Sequence, residues 1–249
     1  MLRLVSYNVH RCLGVDGLLS PGRIAEVIAS VSPDIVALQE LDVGRARTGK
    51  VDQALAIARE LKMHMHFHPA QQVMEERYGD AVLSTRPARL VRAGALPSWR
   101  FRQLEPRGAL WVEIEVDGTP LQVINTHLSL VGPEQLIQIE ALFGPDWLGS
   151  AAARPPLILA GDMNAVPLSR PYRRLAARLA DAQLTARPSR PRRTFPSRAP
   201  LIRIDHVFVS EGVRVSRCDT VRSELAQRAS DHLPLVVDFE IASPPFALP

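Results

Sequence analysis

Long apolar runs are missing from this chain. The longest stop well short of the roughly 20 residues that a membrane-spanning helix needs, which excludes a helical transmembrane segment. The opening Met1-Leu2-Arg3-Leu4-Val5-Ser6 is too short for the apolar stretch of a signal peptide and already reads as a strand, so a cytoplasmic protein is the expectation. Cysteine is scarce: Cys12 and Cys218 neither force nor exclude a disulfide, and reduced thiols are the simpler reading. Neither sits in a metal-ligand spacing, and the histidines are scattered, so a zinc site is disfavoured. Aromatics make up 5% of the chain, with no basic–aromatic stripe to stack single-stranded bases. Duplex DNA gripped through its phosphates alone stays open. Lysine is nearly absent, since Lys50 and Lys62 are the only two among 30 basic residues. Arginine's planar fork suits bidentate phosphate binding, but a GC-rich genome gives the same excess. A net charge of +4 does not by itself point to nucleic acid.

What is present is ordinary globular material. Hydrophobic residues at 46% and charged residues at 22% suffice for a core, and 249 residues without an internal repeat fit one α/β domain, with a body of about 2–240 and a tail at 241–249. Ser20-Pro21 starts a helix, and Ile24, Val27, Ile28 and Val31 follow at helical spacing until Pro33-Asp34 breaks it. Further helices are expected over Asp52–Lys62, after Pro133, and over Arg170–Leu179. His64–Phe67 and Ala81–Ser84 read as strands. Ala109–Val116 and Leu121–Asn125 form a hairpin through Asp117-Gly118. Hairpins among interleaved strands and helices predict two mixed sheets packed face to face with helices outside. Leu41–Val51 and Arg187–Pro200 read as irregular.

The informative feature is six apolar runs that each touch a cluster of metal-binding or proton-moving residues. Four runs end in such a cluster: Leu2–Tyr7 in Asn8, Ile35–Gln39 in Glu40, Leu121–Ile124 in Asn125-Thr126-His127, and Leu157–Gly161 in Asp162-Met163-Asn164. Two runs begin with one: Asp205-His206 precedes Val207–Val209, and Ser230-Asp231-His232 precedes Leu233–Phe239. If the last two strands are antiparallel to the others, all six clusters share one edge. That edge collects three aspartates, a glutamate, several amides and at least two histidines, with no protein cation to balance them. Such a set asks for a hard divalent cation on oxygen ligands and for an anionic substrate. Glu40 emerges where a buried strand reaches solvent and is the leading ligand candidate, with Asp231 second and Asn8 and Asp162 at its border. His232 can activate water if Asp205 fixes its tautomer. His127 is the candidate for a second proton-transfer or phosphate-stabilising role, with Asp80 able to orient it.

Together, Tyr7-Asn8, Gln39-Glu40, Asn125-Thr126-His127-Leu128, Gly161-Asp162-Met163-Asn164, Ile204-Asp205-His206 and Ser230-Asp231-His232-Leu233-Pro234 resemble the endonuclease/exonuclease/phosphatase superfamily, in family order and over essentially the whole chain. The resemblance implies a four-layered α/β sandwich and phosphoester hydrolysis dependent on Mg²⁺, often with tolerance of Mn²⁺. By matching motif it implies Glu40 as principal metal ligand beside Asn8, with Asp231 a metal-side carboxylate. It implies Asp162 and Asn164 as positioning nucleophile and phosphate, and Asp205 with His232 as an acid–histidine pair. Asn125-Thr126-His127 is similar to the deoxyribonuclease, sphingomyelinase and inositol-phosphatase branches and disfavours abasic-site endonuclease activity. Asp80 departs from the asparagine that many relatives carry.

The substrate depends on the arginines. Arg45, Arg47 and Lys50 follow Glu40 and are phosphate-binding candidates or a solvated basic loop. Arg107 is a further phosphate candidate, at a place where the resembling nucleases use an arginine. Arg187, Arg190, Arg192, Arg193, Arg198 and Arg203 form the densest basic stretch, suited to a polyanion, an anionic membrane surface or plain solvation. Gly44–Gly49 and Thr194–Arg198 are similar to loops of small bacterial members associated with phospholipid metabolism, which favours a lipid head group or another small phosphoester. A deoxyribonuclease-type endonuclease and a catalytically inactive binding module are the alternatives. Inactive relatives lose a glutamate, aspartate or histidine position, and all are present here. Oligomeric state is not encoded in these features.

Overall fold

Buried strands with apolar residues on both faces need cover on both sides, and this chain supplies it in four layers. The computed structural model describes residues 1–99, 104–189 and 191–242. In chain order the elements are β1 (Leu2–Asn8), α1 (Pro21–Ala29), β2 (Ile35–Val43), α2 (Gln53–Leu61), β3 (His64–Val73), β4 (Glu76–Ser84), β5 (Ala88–Ala95), β6 (Gly108–Val116), β7 (Thr119–His127) and α3 (Gly132–Leu142). They continue as β8 (Leu157–Asp162), α4 (Arg170–Ala176), β9 (Ala180–Asp181), α5 (Ala182–Thr185), β10 (Asp205–Val209), β11 (Val213–Thr220), α6 (Glu224–Ala229) and β12 (Leu235–Ile241). One six-stranded sheet runs β11-β12-β1-β2-β4-β3, and the other β5-β6-β7-β8-β10-β9.

The period of two along each strand sorts side chains between layers. Leu4, Ile35 and Ala37 point inward and join Leu110, Val112, Val123, Ile158 and Val207 in the core between the sheets. Val5, Tyr7, Val36 and Leu38 point outward, onto Ile24 and Ile28 of α1 and Ile57 of α2. On the far face, Trp111, Ile124 and Leu159 pack against Ile139 and Leu142 of α3 and Leu175 of α4. The helices start where their caps put them. Ser20 Oγ accepts the Arg23 N–H at 3.1 Å with Pro21 in the first turn, and Asp52 accepts the Leu55 N–H at 2.9 Å.

Strand directions bring the six clusters to one edge. β1 runs parallel to β2, and β7 parallel to β8, while β12 is antiparallel to β1 and β10 antiparallel to β8. Register sets Asp162 opposite both Asp205 and His127. Asn125 ties the sheets together at that edge. Its Nδ2 donates to Leu38 O at 2.8 Å and Ala81 O at 2.9 Å, and its Oδ1 accepts from Gln39 Nε2 at 2.7 Å.

Several expectations need correction. Leu41–Val51 is not irregular throughout, because β2 continues to Val43 beyond a bulge that shifts its register against β4 between Leu38 and Leu41. The bulge breaks the alternation by which a strand is read from sequence. β3 extends to Val73 past a second bulge at Pro69, and the fourth helix ends at Ala176 rather than Leu179. β5 and β11 carry no strand signature in the sequence. Both are edge strands covered on one face and carry arginines (Arg89, Arg92, Arg214, Arg217), so neither shows an apolar run. Arg190 and the tail from 243 onward lie outside the described residues.

Candidate active site

The shared edge is a cleft of about 500 Å³. Its walls include Glu40, Asp162, Asn164 and Asp231 together with His127, His232, Arg47 and Arg107. Asn8 and Asp205 lie fully buried behind them.

Glu40 sits in the β2 bulge at φ 61°, a left-handed conformation that non-glycine residues seldom adopt. Asn8, at the end of β1, bridges two carboxylates: its Nδ2 lies 2.9 Å from Glu40 Oε1 and 3.0 Å from Asp162 Oδ2. The Asn8 Oδ1 accepts the His10 N–H at 3.0 Å, which fixes the amide's orientation. Asp162 Oδ1 accepts the Asn164 N–H at 2.9 Å. Burial, and then the neighbouring Asp205, push the Asp162 carboxyl up to about 7, against the pull of His232.

Asp205 Oδ2 lies 2.9 Å from His232 Nδ1. The other ring nitrogen, Nε2, faces the cleft 3.7 Å from Asp162 Oδ2. The Phe195 ring packs beside the imidazole at 4.9 Å between centroids. Ser230 braces the loop: its hydroxyl donates to Asn8 O at 2.8 Å and accepts the His232 N–H at 3.2 Å. Burial works against a charged His232, but Asp205 and Asp162 outweigh it and hold the ring up at about 10. His127 goes the other way. Burial, the Arg107 guanidinium and His232 press it well below the ordinary histidine value, so it is neutral.

Arg107 Nη1 lies 3.0 Å from His127 Nδ1, and the Asn164 amide lies 3.1 Å from Nε2. Asp80 therefore does not orient His127, because the guanidinium takes that nitrogen. Asp80 is buried nearby, and burial lifts its carboxyl to about 8 despite Arg107. Arg45 is also displaced from its expected place. It faces Asp42 at 3.8 Å and Glu76 at 3.7 Å and does not line the cleft. Arg47 does line the cleft while making two 2.7 Å contacts to buried Asp42 and lying 5.5 Å from the Tyr78 ring centroid. Arg107 pairs with Glu105 at 2.8 Å. The expectation of an edge without cations thus gives way to one with three wall arginines, Arg11, Arg47 and Arg107. Asp231 also lines the cleft, 3.8 Å from His10 Nδ1.

Tyr78, His10, Arg11, Glu105 and Phe195 also line the cleft and were not anticipated. Tyr78 had a signal, being one of three tyrosines and only two residues before Asp80. His10 follows Asn8 by two residues. Glu105 and Arg11 stand in no pattern.

Residues 5–232 match the Endonuclease/Exonuclease/phosphatase family. The chain belongs to that family. The endonuclease/exonuclease/phosphatase from Beutenbergia cavernae is 24% identical with a TM-score of 0.74, over 99% of this chain and 73% of that one. The mannosyl-6-phosphatase of Bacteroides thetaiotaomicron is 20% identical with a TM-score of 0.76, over 97% of this chain and all 100% of that one. The human Nocturnin catalytic domain is 22% identical with a TM-score of 0.72, over 97% and 93%. At these identities the likeness is one of fold. Among curated sequences, the uncharacterized protein YbhP of Escherichia coli is 27% identical over 176 residues, 67% of this chain and 64% of that relative. The match therefore spans less than two thirds of YbhP.

The endonuclease/exonuclease/phosphatase family unites divalent-metal-dependent phosphoesterases and nucleases. The donor set here fits such a metal. Four carboxylates (Glu40, Asp162, Asp205, Asp231) gather around one cleft edge, and Asp205 Oδ1 is buried with no hydrogen-bond partner. Asp162, Asp205 and His232 offer ligand atoms within 4.8 Å of one another. That trio is less suited than Glu40 to lead, because His232 Nδ1 is already committed to Asp205. Glu40 faces the cleft and shares Asn8 with Asp162, so oxygen donors converge without dismantling the acid–histidine pair.

Proposed function

We propose that this chain is a divalent-metal-dependent phosphoesterase in which His232 handles the proton of the attacking water. The observation that carries the reading is the Asp205–His232 pair opening onto the same cleft as the Asn8-bridged carboxylates Glu40 and Asp162. Glu40 holds Mg²⁺, or Mn²⁺ in its place, with Asn8 and Asp231 at its border. A metal bound there supplies Lewis acidity toward a phosphoryl oxygen.

The chain's own residues do the rest. Asp205 fixes the His232 tautomer so that Nε2 faces the reacting centre. Of the two carboxylates that keep His232 protonated, Asp162 shares Asn8 with Glu40, so a metal held at Glu40 would draw on the charge of Asp162 and leave the Asp205 pairing intact while easing the proton's hold on His232. Asp162 and Asn164 position water and phosphate. His127, kept neutral by burial and Arg107, meets the phosphoryl group as a hydrogen-bonding rather than a charged partner. Arg107 and Arg47 are the phosphate-facing cations. Arg45, turned toward Asp42 and Glu76, is left out of that role.

A small or lipid-linked phosphoester is the favoured substrate. The acidic neighbours of Arg45 and Arg47 reduce what the Gly44–Gly49 loop offers to a long polyanion. A neighbour of the same fold is named a mannosyl-6-phosphatase, and that supports a small phosphoester as the substrate. The test gives purified protein bis(p-nitrophenyl) phosphate and supercoiled plasmid in parallel, with Mg²⁺, Mn²⁺ or chelator. Metal-dependent cleavage of the small diester is expected, with a loss of at least about 100-fold in Asp205→Asn. Plasmid nicking that disappears in Asp205→Asn would move the substrate to DNA. Cleavage by Asp205→Asn at the wild-type rate would end the proton-transfer assignment.

A further inference from the structure

Beside the cleft lies an apolar groove of about 540 Å³ that the phosphoester chemistry leaves unused. Its size falls within the usual range of ligand pockets. Its exposed apolar side chains come from three segments: Val166–Leu168 just past Asn164, Leu184 of α5, and Leu201-Ile202 ahead of β10. Val166 and Ile202 line both concavities, so groove and cleft adjoin. The segments are held in place from beneath. His206 Nε2 bonds Ala165 O at 2.8 Å, and Phe195, which packs on His232, bridges to Ile202.

Single exposed leucines need no explanation, whereas a cluster rimmed by polar groups marks a binding surface. Of the fourteen large apolar side chains exposed among the described residues, six gather here or at the cleft wall: Leu130, Val166, Leu168, Leu184, Leu201 and Ile202. Leu168 is 79% exposed and Leu201 66%. The groove's charge has one sign. Arg192, Arg193 and Arg203 line it and no carboxylate does. Arg203 is neutralised by Asp181 at 2.8 Å and Arg192 by Asp219 at 3.2 Å. Arg193 is exposed and has no carboxylate partner among the described residues.

An occupant must therefore bring an apolar body to the groove, negative charge to Arg193, and a phosphoester to the adjoining cleft. We infer that the groove takes an acyl chain of an anionic phospholipid whose phosphoester enters the cleft, so that the protein works at a lipid surface. The inference rests on the phosphoesterase reading for its catalytic half. A nucleic acid offers no aliphatic body to Leu168, Leu184 and Leu201. β12 starts beside the cleft and runs toward the opposite edge of the sheet, ending at Ile241 away from the groove.

The test separates binding from reaction. The full-length protein is floated in chelator with dioleoylphosphatidylglycerol vesicles, so that partition is read without turnover. Wild type and Leu90→Asp, an equivalent change at an exposed leucine on β5, are expected to float alike. Leu168→Asp/Leu201→Asp is expected to lose at least about tenfold in partition. Both substitutions fall at exposed positions, and an unchanged melting temperature confirms the fold. Glycerophosphoglycerol, the same head group without chains, is expected not to displace the vesicles. Wild type failing to float, the double variant floating like wild type, displacement by the bare head group, or displacement by plasmid DNA would each overturn the groove. Hydrolysis of bis(p-nitrophenyl) phosphate with Mg²⁺ is read separately. If wild type floats as expected yet leaves that diester intact, the groove stands and the phosphoesterase reading fails.

Discussion

His127 and His232 face one cleft with their protons set in opposite directions. Asp205 and Asp162 hold His232 up at about 10 against burial, while burial and Arg107 press His127 down. Groups of one kind pushed apart in this way divide a proton-handling role from a hydrogen-bonding one. The raised His232 favours the fold below pH 6.5, its unfolded value, and that contribution is lost as pH climbs toward about 10. Asp80 is the simpler case to measure. Burial lifts it from 3.8 to about 8, so the folded chain keeps this proton longer than the unfolded one, and stability falls as pH rises between those values. Asp80→Asn removes the titration while keeping the shape. Its melting temperature should exceed that of wild type by about 2–4 °C at pH 8, with the gain shrinking toward pH 4. A change of equal size at both pH values would show that burial of charge is not what Asp80 costs the fold.

At the scale of elements, Asn125 is the joint between the two sheets. It reaches from β7 to Leu38 O and Ala81 O in the opposite sheet and receives Gln39 Nε2, the side chain just before Glu40. Truncation strands two buried carbonyls and weakens the hold on Gln39, at roughly 1–3 kcal/mol for each group left unpaired. Asn125→Ala is therefore expected to lower stability by about 3 kcal/mol in urea unfolding. It should also lower activity even where the variant stays folded, because Glu40 loses its anchored neighbour. A loss under about 0.5 kcal/mol, within the range of a neutral surface change, would contradict the joint. The same element explains what could and could not be read in advance. The Asn125-Thr126-His127 cluster stands at the end of an uninterrupted apolar run, so position and chemistry are both legible. The Glu40 bulge is not, because it depends on pairing with β4 and breaks the alternation that would announce it. β5 and β11 escaped for a related reason: an edge strand buries too little to leave a pattern.

At the scale of the whole molecule, two sheets with parallel centres and antiparallel flanks deliver six strand ends to one edge. That convergence was readable because each cluster adjoins a buried strand, and burial on both faces makes such strands conspicuous. The arginines were harder to place. Arg45 and Arg47 lie in a segment whose course depends on buried Asp42 and on Glu76 across the sheet, and of the arginines expected to meet phosphate only Arg47 and Arg107 reach the cleft wall. A basic residue in a loop has no periodicity to say which way it turns. The apolar groove was hidden for a related reason, since Val166 and Leu201 come from connections and Leu184 from the one-turn helix α5, three places far apart in sequence.

The central claim is that one edge joins a metal at Glu40 to a proton-handling pair at His232. It is tested most directly by the rate of bis(p-nitrophenyl) phosphate hydrolysis across a Mg²⁺ titration, for wild type, Glu40→Ala and His232→Ala, each checked for native circular dichroism. The account predicts saturable metal-dependent hydrolysis by wild type, abolished by chelator and lowered at least about 100-fold in both folded variants. Hydrolysis near the wild-type rate by either folded variant would contradict it.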